Sequence, residues 1–164
     1  MINLTPAEIE ALLLSLRISG VAVAGALPFA VIIATALALG RFPGRFILDA
    51  IVHLPLILPP VVMGYLLLIG FGTRAPLGAW LYETFDLRFV FSWTGAAIAS
   101  AIVSFPFQVR AIRLSLENVN PGLYQAAEKL GAGAIDRVFS LSFPLALPGI
   151  IAGAITAFGA SLGE

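Results

Sequence analysis

The chain has 164 residues, 60% of them hydrophobic and 11% charged, with a mean hydropathy of +1.02 and a formal net charge of zero. A soluble domain carries about 25% charged residues to cover its surface, so a water-soluble globule is excluded and the natural solvent for this chain is lipid. Nine Lys/Arg balanced by nine Asp/Glu, with no basic run, argue against nucleic acid as a partner, and the absence of cysteine removes disulfides, thiolate metal sites and cysteine nucleophiles.

A bilayer core about 30 Å thick needs roughly 20 apolar helical residues. Four stretches free of Asp, Glu, Lys and Arg are long enough: Ile18–Gly40, Ala50–Thr73, Phe89–Val109 and Val138–Gly163. They predict spans at about 12–39, 54–73, 90–110 and 144–164, separated by short loops and by a longer loop at 111–143. The expected fold is all-α, a polytopic helical bundle in a membrane.

No basic residue comes before Arg17 at the leading edge of the first stretch, and there is no small-x-small cleavage site, so it is read as a retained span, with Arg17 snorkelling to the headgroups. Phe42-Pro43-Gly44 then reads as a turn, and Arg45–Val52 as a short amphipathic helix along the inner membrane surface. Pro55, Pro59 and Pro60 cannot all sit in one regular helix, so the second span is expected to begin with a bend. His53 is the sole histidine, and without a second ligand beside it an interface or capping role is the simpler reading than a metal ligand or proton relay. In the fourth stretch, Gly149-x-x-x-Gly153 and Gly159-x-x-x-Gly163 predict close backbone packing, making this the most tightly packed helix. The chain stops at Ser161-Leu162-Gly163-Glu164 with no polar tail, which reads as a domain incomplete at its C-terminus.

Orientation follows from Lys and Arg in the loops. With the N-terminus outside, the inner loops hold Arg41, Arg45, Arg110, Arg113, Lys129 and Arg137, against Arg74, Arg88 and Arg17 outside. No charge lies near the centre of any span, so an ion-coupled carrier is disfavoured and the energy for any transport is expected to enter from elsewhere. Motifs for nucleotide, peptide or ester hydrolysis are missing, so no enzymatic activity, metal or cofactor is expected in the chain itself.

The long loop carries the strongest local signal. Asn120 suits an N-cap, Pro121 the first helical position and Gly131 a left-handed stop; a second short helix is expected from Ala134 to about Ser142, ending before Pro144. Leu123, Ala126, Ala127 and Leu130 fall at i, i+3, i+4 and i+7, a smooth stripe suited either to a groove on another protein or to packing back on the membrane domain, with Glu128 and Lys129 at its rim.

Gln125-Ala126-Ala127, three residues, Gly131, nine residues, then Leu141-Ser142-Phe143-Pro144 resembles the EAA loop of ATP-binding-cassette importer permeases, which reads Glu-Ala-Ala, three residues, Gly, nine residues, Ile-x-Leu-Pro. Gln125 replaces the family's Glu and loses its charge. Arg41–Gly44, His53–Tyr65, Ser104-Phe105-Pro106, Arg110–Arg113 and Leu147–Ile150 look like the molybdate-importer branch, with sulfate and thiosulfate permeases nearest to it. The resemblance implies a type I importer permease domain over residues 1–164, in the bacterial inner membrane, importing an oxyanion, molybdate or tungstate foremost. It also implies ATPase subunits, a second permease copy and an external oxyanion-binding protein as partners. Gln125, Ala126, Ala127, Glu128, Leu130 and Gly131 would form the ATPase-docking coupling helix and its turn, with Leu141 and Pro144 fixing the return to the membrane. Family analogy puts the substrate gate near Ser161 and Glu164. The alternatives are a sulfate or thiosulfate permease, a non-transporting membrane scaffold and, third, a secondary carrier.

Overall fold

The computed structural model describes residues 5–40, 42–72, 75–85 and 92–163. Arg41, Arg74, Arg88 and Glu164, used above for orientation and for the gate, lie outside the described residues. The described residues are helical, with no strand: α1 (Pro6–Leu39), α2 (Arg45–Ile57), α3 (Pro60–Phe71), α4 (Pro76–Phe85), α5 (Trp93–Glu117), α6 (Pro121–Lys129), α7 (Ala134–Arg137) and α8 (Phe143–Leu162). Three of the described helices are long and apolar enough to cross a membrane: α1, α5 and Ser140–Leu162.

These three form the bundle. α1 opens on Thr5, whose backbone N–H donates to the Glu8 carboxylate at 2.6 Å, and it passes through Pro28 unbroken. Its buried face is Ser19, Ala22, Val23, Ala26, Ala30, Ala34 and Leu37, small residues at helical spacing that let α5 approach closely. α5 begins on Ser92, whose Oγ accepts from the Gly95 N–H at 3.1 Å, and it likewise carries Pro106 without breaking. The Arg17 guanidinium stacks 4.3 Å above the Trp93 ring, which ties the first half of α1 to the start of α5. At the other end Leu37, Val109, Ile112, Leu116 and Ala146 share one core. α1 and α5 are therefore parallel, and α8 runs antiparallel to both.

The α5–α8 contact is backbone on backbone. A Cβ at Gly149 would lie 2.5 Å from Ser115 Cβ and 2.7 Å from the Ala111 carbonyl oxygen; one at Gly153 would lie 3.1 Å from Gln108 Cα. The second small-residue motif differs, since a Cβ at Gly159 meets nothing within 4 Å. Coverage within the chain is greatest for α5, 39% of whose apolar stretch is buried against 28% for Ser140–Leu162, because α5 lies between α1 and α8 and is covered from two sides. Buried polar groups are spent between helices. Ser161 Oγ donates to Ser19 Oγ at 2.8 Å and is hydrogen-bonded to Ser100 Oγ, and Gln108 Nε2 donates to the Val23 carbonyl at 3.4 Å.

The second apolar stretch is not one helix. Gly44, at φ 97°, turns the chain into α2, which continues past Val52 and Pro55 to Ile57 and runs antiparallel beside α5. Pro59 and Pro60 then break the ladder, and α3 leaves at 116° to α2. α3 packs mainly on α4, a helix that sequence reasoning did not anticipate.

Substitution separates the two glycine motifs. Gly149→Leu is expected to destabilise the bundle by at least about 1–3 kcal/mol through overpacking against Ser115 and Ala111, whereas Gly159→Ala is expected to be neutral. Thermal unfolding of the detergent-purified variants checks both.

Candidate functional site

α5 ends at Glu117, and three residues later the chain starts a new helix beyond the bundle end. Asn120 caps it as the spacing predicts: its Oδ1 accepts from the Gly122 N–H at 2.8 Å, and Pro121 occupies the first helical position, where its missing N–H costs nothing. At the far end Gly131 sits at φ 86°, its N–H donates to the Glu128 carbonyl at 3.0 Å, and the Ala132 N–H donates to the Ala127 carbonyl at 3.0 Å. This is a Schellman stop, with both orphan carbonyls satisfied. A nine-residue helix is marginal in isolation, so its two caps and its tertiary ties decide whether it is ordered.

Two ties fix α6 to the next two helices. Glu128 pairs with Arg137 at 3.1 Å, and Tyr124 Oη lies 3.3 Å from the buried Ser142 Oγ. Glu128 and Tyr124 thus face α7 and the start of α8. The stripe faces elsewhere: Leu123 and Ala126 are exposed, Ala127 is partly covered, and Leu130 is 88% exposed. It does not fold back on the membrane bundle. Gln125, Gly131 and Pro144 are also exposed, and Leu141 is partly buried.

The return to the membrane differs from expectation. The helix from Ala134 does not end before Pro144; α7 passes through a π turn at Val138–Ser142 directly into α8. The Phe143 N–H donates to the Val138 carbonyl, five residues back. Widening the helix there gives the Pro144 ring room against the preceding turn, so the proline is absorbed instead of stopping the helix. Leu141 and Pro144 therefore lie in one continuous rod reaching from the α6 hairpin to Leu162.

Of the residues suggested for a gate, Ser161 is 8% exposed and holds α1, α5 and α8 together through Ser19 and Ser100. His53 Nδ1 lies 2.9 Å from the carbonyl and 3.3 Å from the carboxylate of Asp49, one turn back on α2.

Sequence reasoning missed a charged ladder beside α6. Arg45 pairs with Glu117 at 3.5 Å, Glu117 with Arg113 Nε at 2.7 Å, and Arg113 Nη1 with Asp49 at 2.9 Å. The i, i+4 spacing of Arg113 and Glu117, and of Asp49 and His53, was visible; their meeting across 64 residues of chain was not.

Gly131→Val is expected to cost about 1–2 kcal/mol by forcing a β-branched residue into left-handed geometry. Hydrogen exchange should show faster amides at Gly131, Ala132 and the last turn of α6, with protection in α1, α5 and α8 unchanged.

Known proteins resemble the chain in sequence. Residues 26–164 match the family described as binding-protein-dependent transport system inner membrane component. The chain is 52% identical over 161 residues to the Molybdenum transport system permease protein ModB of Escherichia coli (strain K12), covering 98% of this chain and 70% of that protein. It is 48% identical over 157 residues to ModB of Haemophilus influenzae, covering 96% of this chain and 69% of that protein. To the Sulfate transport system permease protein CysT of Escherichia coli (strain K12) it is 38% identical over 136 residues, covering 83% of this chain and 49% of that protein. With its apolar, membrane-length helices, the chain is a multi-pass membrane protein and belongs to the family of inner-membrane components of binding-protein-dependent transport systems.

Proposed function

We propose that this chain is the transmembrane permease subunit of an ATP-driven molybdate importer, with tungstate as a chemically equivalent cargo. The observation that carries the reading is an exposed helix, capped at both ends and bearing an uncovered apolar stripe, in a chain 52% identical to a molybdenum permease. The lower identity to the sulfate permease, 38%, ranks sulfate or thiosulfate behind molybdate.

The chemistry fits a division of labour. The three long helices hold no charge near their centres that could bind or relay a driving ion, so ATP hydrolysis belongs to a separate subunit. Ala126 and Ala127 leave a shallow surface between Leu123 and Leu130, and such a surface suits a groove on an ATPase. Gln125, Glu128 and Gly131 border it, while Leu141 and Pro144 connect it to α8. Nucleotide-driven closure of two ATPases would then move two copies of this chain, exposing a pathway between them alternately to each side, with an external binding protein delivering the oxyanion. In this reading the N-terminus is outside and α6 is in the cytoplasm, as the distribution of Arg and Lys favours.

Two experiments test it. Ala127→Arg should leave membrane insertion intact but lower both ATPase co-purification and molybdate uptake by roughly tenfold or more, the effect of about 1.4 kcal/mol lost at the docking surface. Normal uptake by that variant would refute the reading. Because the chain has no cysteine, Asn118→Cys and Glu10→Cys can be labelled separately in cells. An impermeant maleimide should reach position 10 from outside and position 118 only after the inner face is opened.

A further inference from the structure

We infer that the ladder Arg45–Glu117–Arg113–Asp49 is a mechanical tie that makes α2 follow the coupling helix. The inference rests on the permease reading above and concerns residues outside the docking surface.

The ladder occupies a decisive place. Glu117 is the last residue of α5, and Asn120, the cap of α6, comes within one turn of chain after it. A displacement of α6 reaches the end of α5 that carries Glu117 and Arg113 through the three-residue link 118–120, as it reaches α7 and α8 through Glu128 and Tyr124. Across from them stand Arg45 and Asp49, one turn apart on α2, so the alternating charges on the two helices interlock at two levels. The contact involves side chains from residues 64 and 72 positions apart, and its geometry is specific, with Arg113 reaching one carboxylate through Nε and another through Nη1.

The apolar packing of α2 on the bundle is thin. Val52 is its sole buried residue among those described, and Phe46, Ile47, Ile51 and Ile57 are exposed. Val52 and the partly buried Leu48 pack on the core without directional bonds, whereas a forked guanidinium between two carboxylates fixes register. The pairs are partly exposed, Arg113 by 25% and Asp49 by 34%, so they add little to stability. What they supply is direction. α2 in turn leads through the Leu58-Pro59 break to α3, which packs mainly on α4. A movement of α2 is therefore passed along the chain to the α3–α4 arm. Arg113, Asp49, Glu117 and Arg45 are positioning residues: none need touch the cargo or the ATPase.

The test uses the complete permease assembled with its ATPase and binding protein in liposomes, reading molybdate transported per ATP hydrolysed. Arg113→Gln keeps much of the length of the side chain and removes the charge. It is expected to retain ATPase capture while transport per ATP falls at least about fivefold, the low end of coupling between distant sites. Arg113→Lys, which can satisfy one carboxylate at a time, should lie between. In the cysteine-free background, Asp49→Cys with Arg113→Cys should be as defective as Arg113→Gln, and a flexible bis-methanethiosulfonate bridge between the two thiols should restore transport per ATP. An unchanged ratio in Arg113→Gln overturns the inference, as does loss of ATPase capture in that variant or failure of the bridge to restore. If Ala127→Arg blocks uptake while Arg113→Gln keeps its ratio, the tie falls and the permease reading stands; if Ala127→Arg transports normally, the permease reading itself falls.

Discussion

The close approach of α5 and α8 governs the rest of the architecture. Gly149 and Gly153 bring the α8 backbone against Gln108, Ala111, Ile112 and Ser115, where any side chain on α8 would push the two helices apart. In lipid there is no hydrophobic gain from joining two apolar helices, so contact of this intimacy is what dispersion forces require. Once α5 and α8 are fixed to each other, the chain between them has both ends at one end of the bundle. The 118–142 segment must then leave and return over a short distance, and the α6–α7 hairpin is the way it does so. The alanine face of α1 completes the arrangement by covering α5 from the other side.

Features set by neighbours in the chain were legible before the fold. Asn120, Pro121 and Gly131 announce a short capped helix because capping chemistry acts over a few bonds, and the structure has each in the expected role. The charge-free stretches likewise mark where long apolar helices occur, since the composition needed to live in a bilayer is a local property. The break at Pro59 and Pro60 is of the same kind. The family resemblance was carried by such local patterns, and the match over residues 26–164 agrees with it.

What could not be read depends on which helices become neighbours. Ala22, Ala26, Ala30 and Ala34 form a small-residue seam as clear in spacing as any glycine pair, yet in a uniformly apolar stretch nothing distinguishes the packed face from the lipid face. Gly159 and Gly163 looked equivalent to Gly149 and Gly153, and only the latter pair faces α5 closely, because the motif reports capacity for contact and not the presence of a partner. Pro144 read as a stop signal; the π turn before it is a cooperative adjustment of five residues that no single side chain encodes. The ladder between α2 and α5 was hidden for the same reason, since its partners lie 64 and 72 residues apart.

The serine knot of Ser19, Ser100 and Ser161 has a property that an aliphatic contact or an ion pair would lack. A hydroxyl group has one proton to give and lone pairs to receive: Ser161 donates to Ser19 and so accepts from Ser100, and every oxygen of the knot has a partner. Such a knot joins three helices through one small side chain each, so it holds them against separation without widening the seam that the alanines and glycines keep narrow.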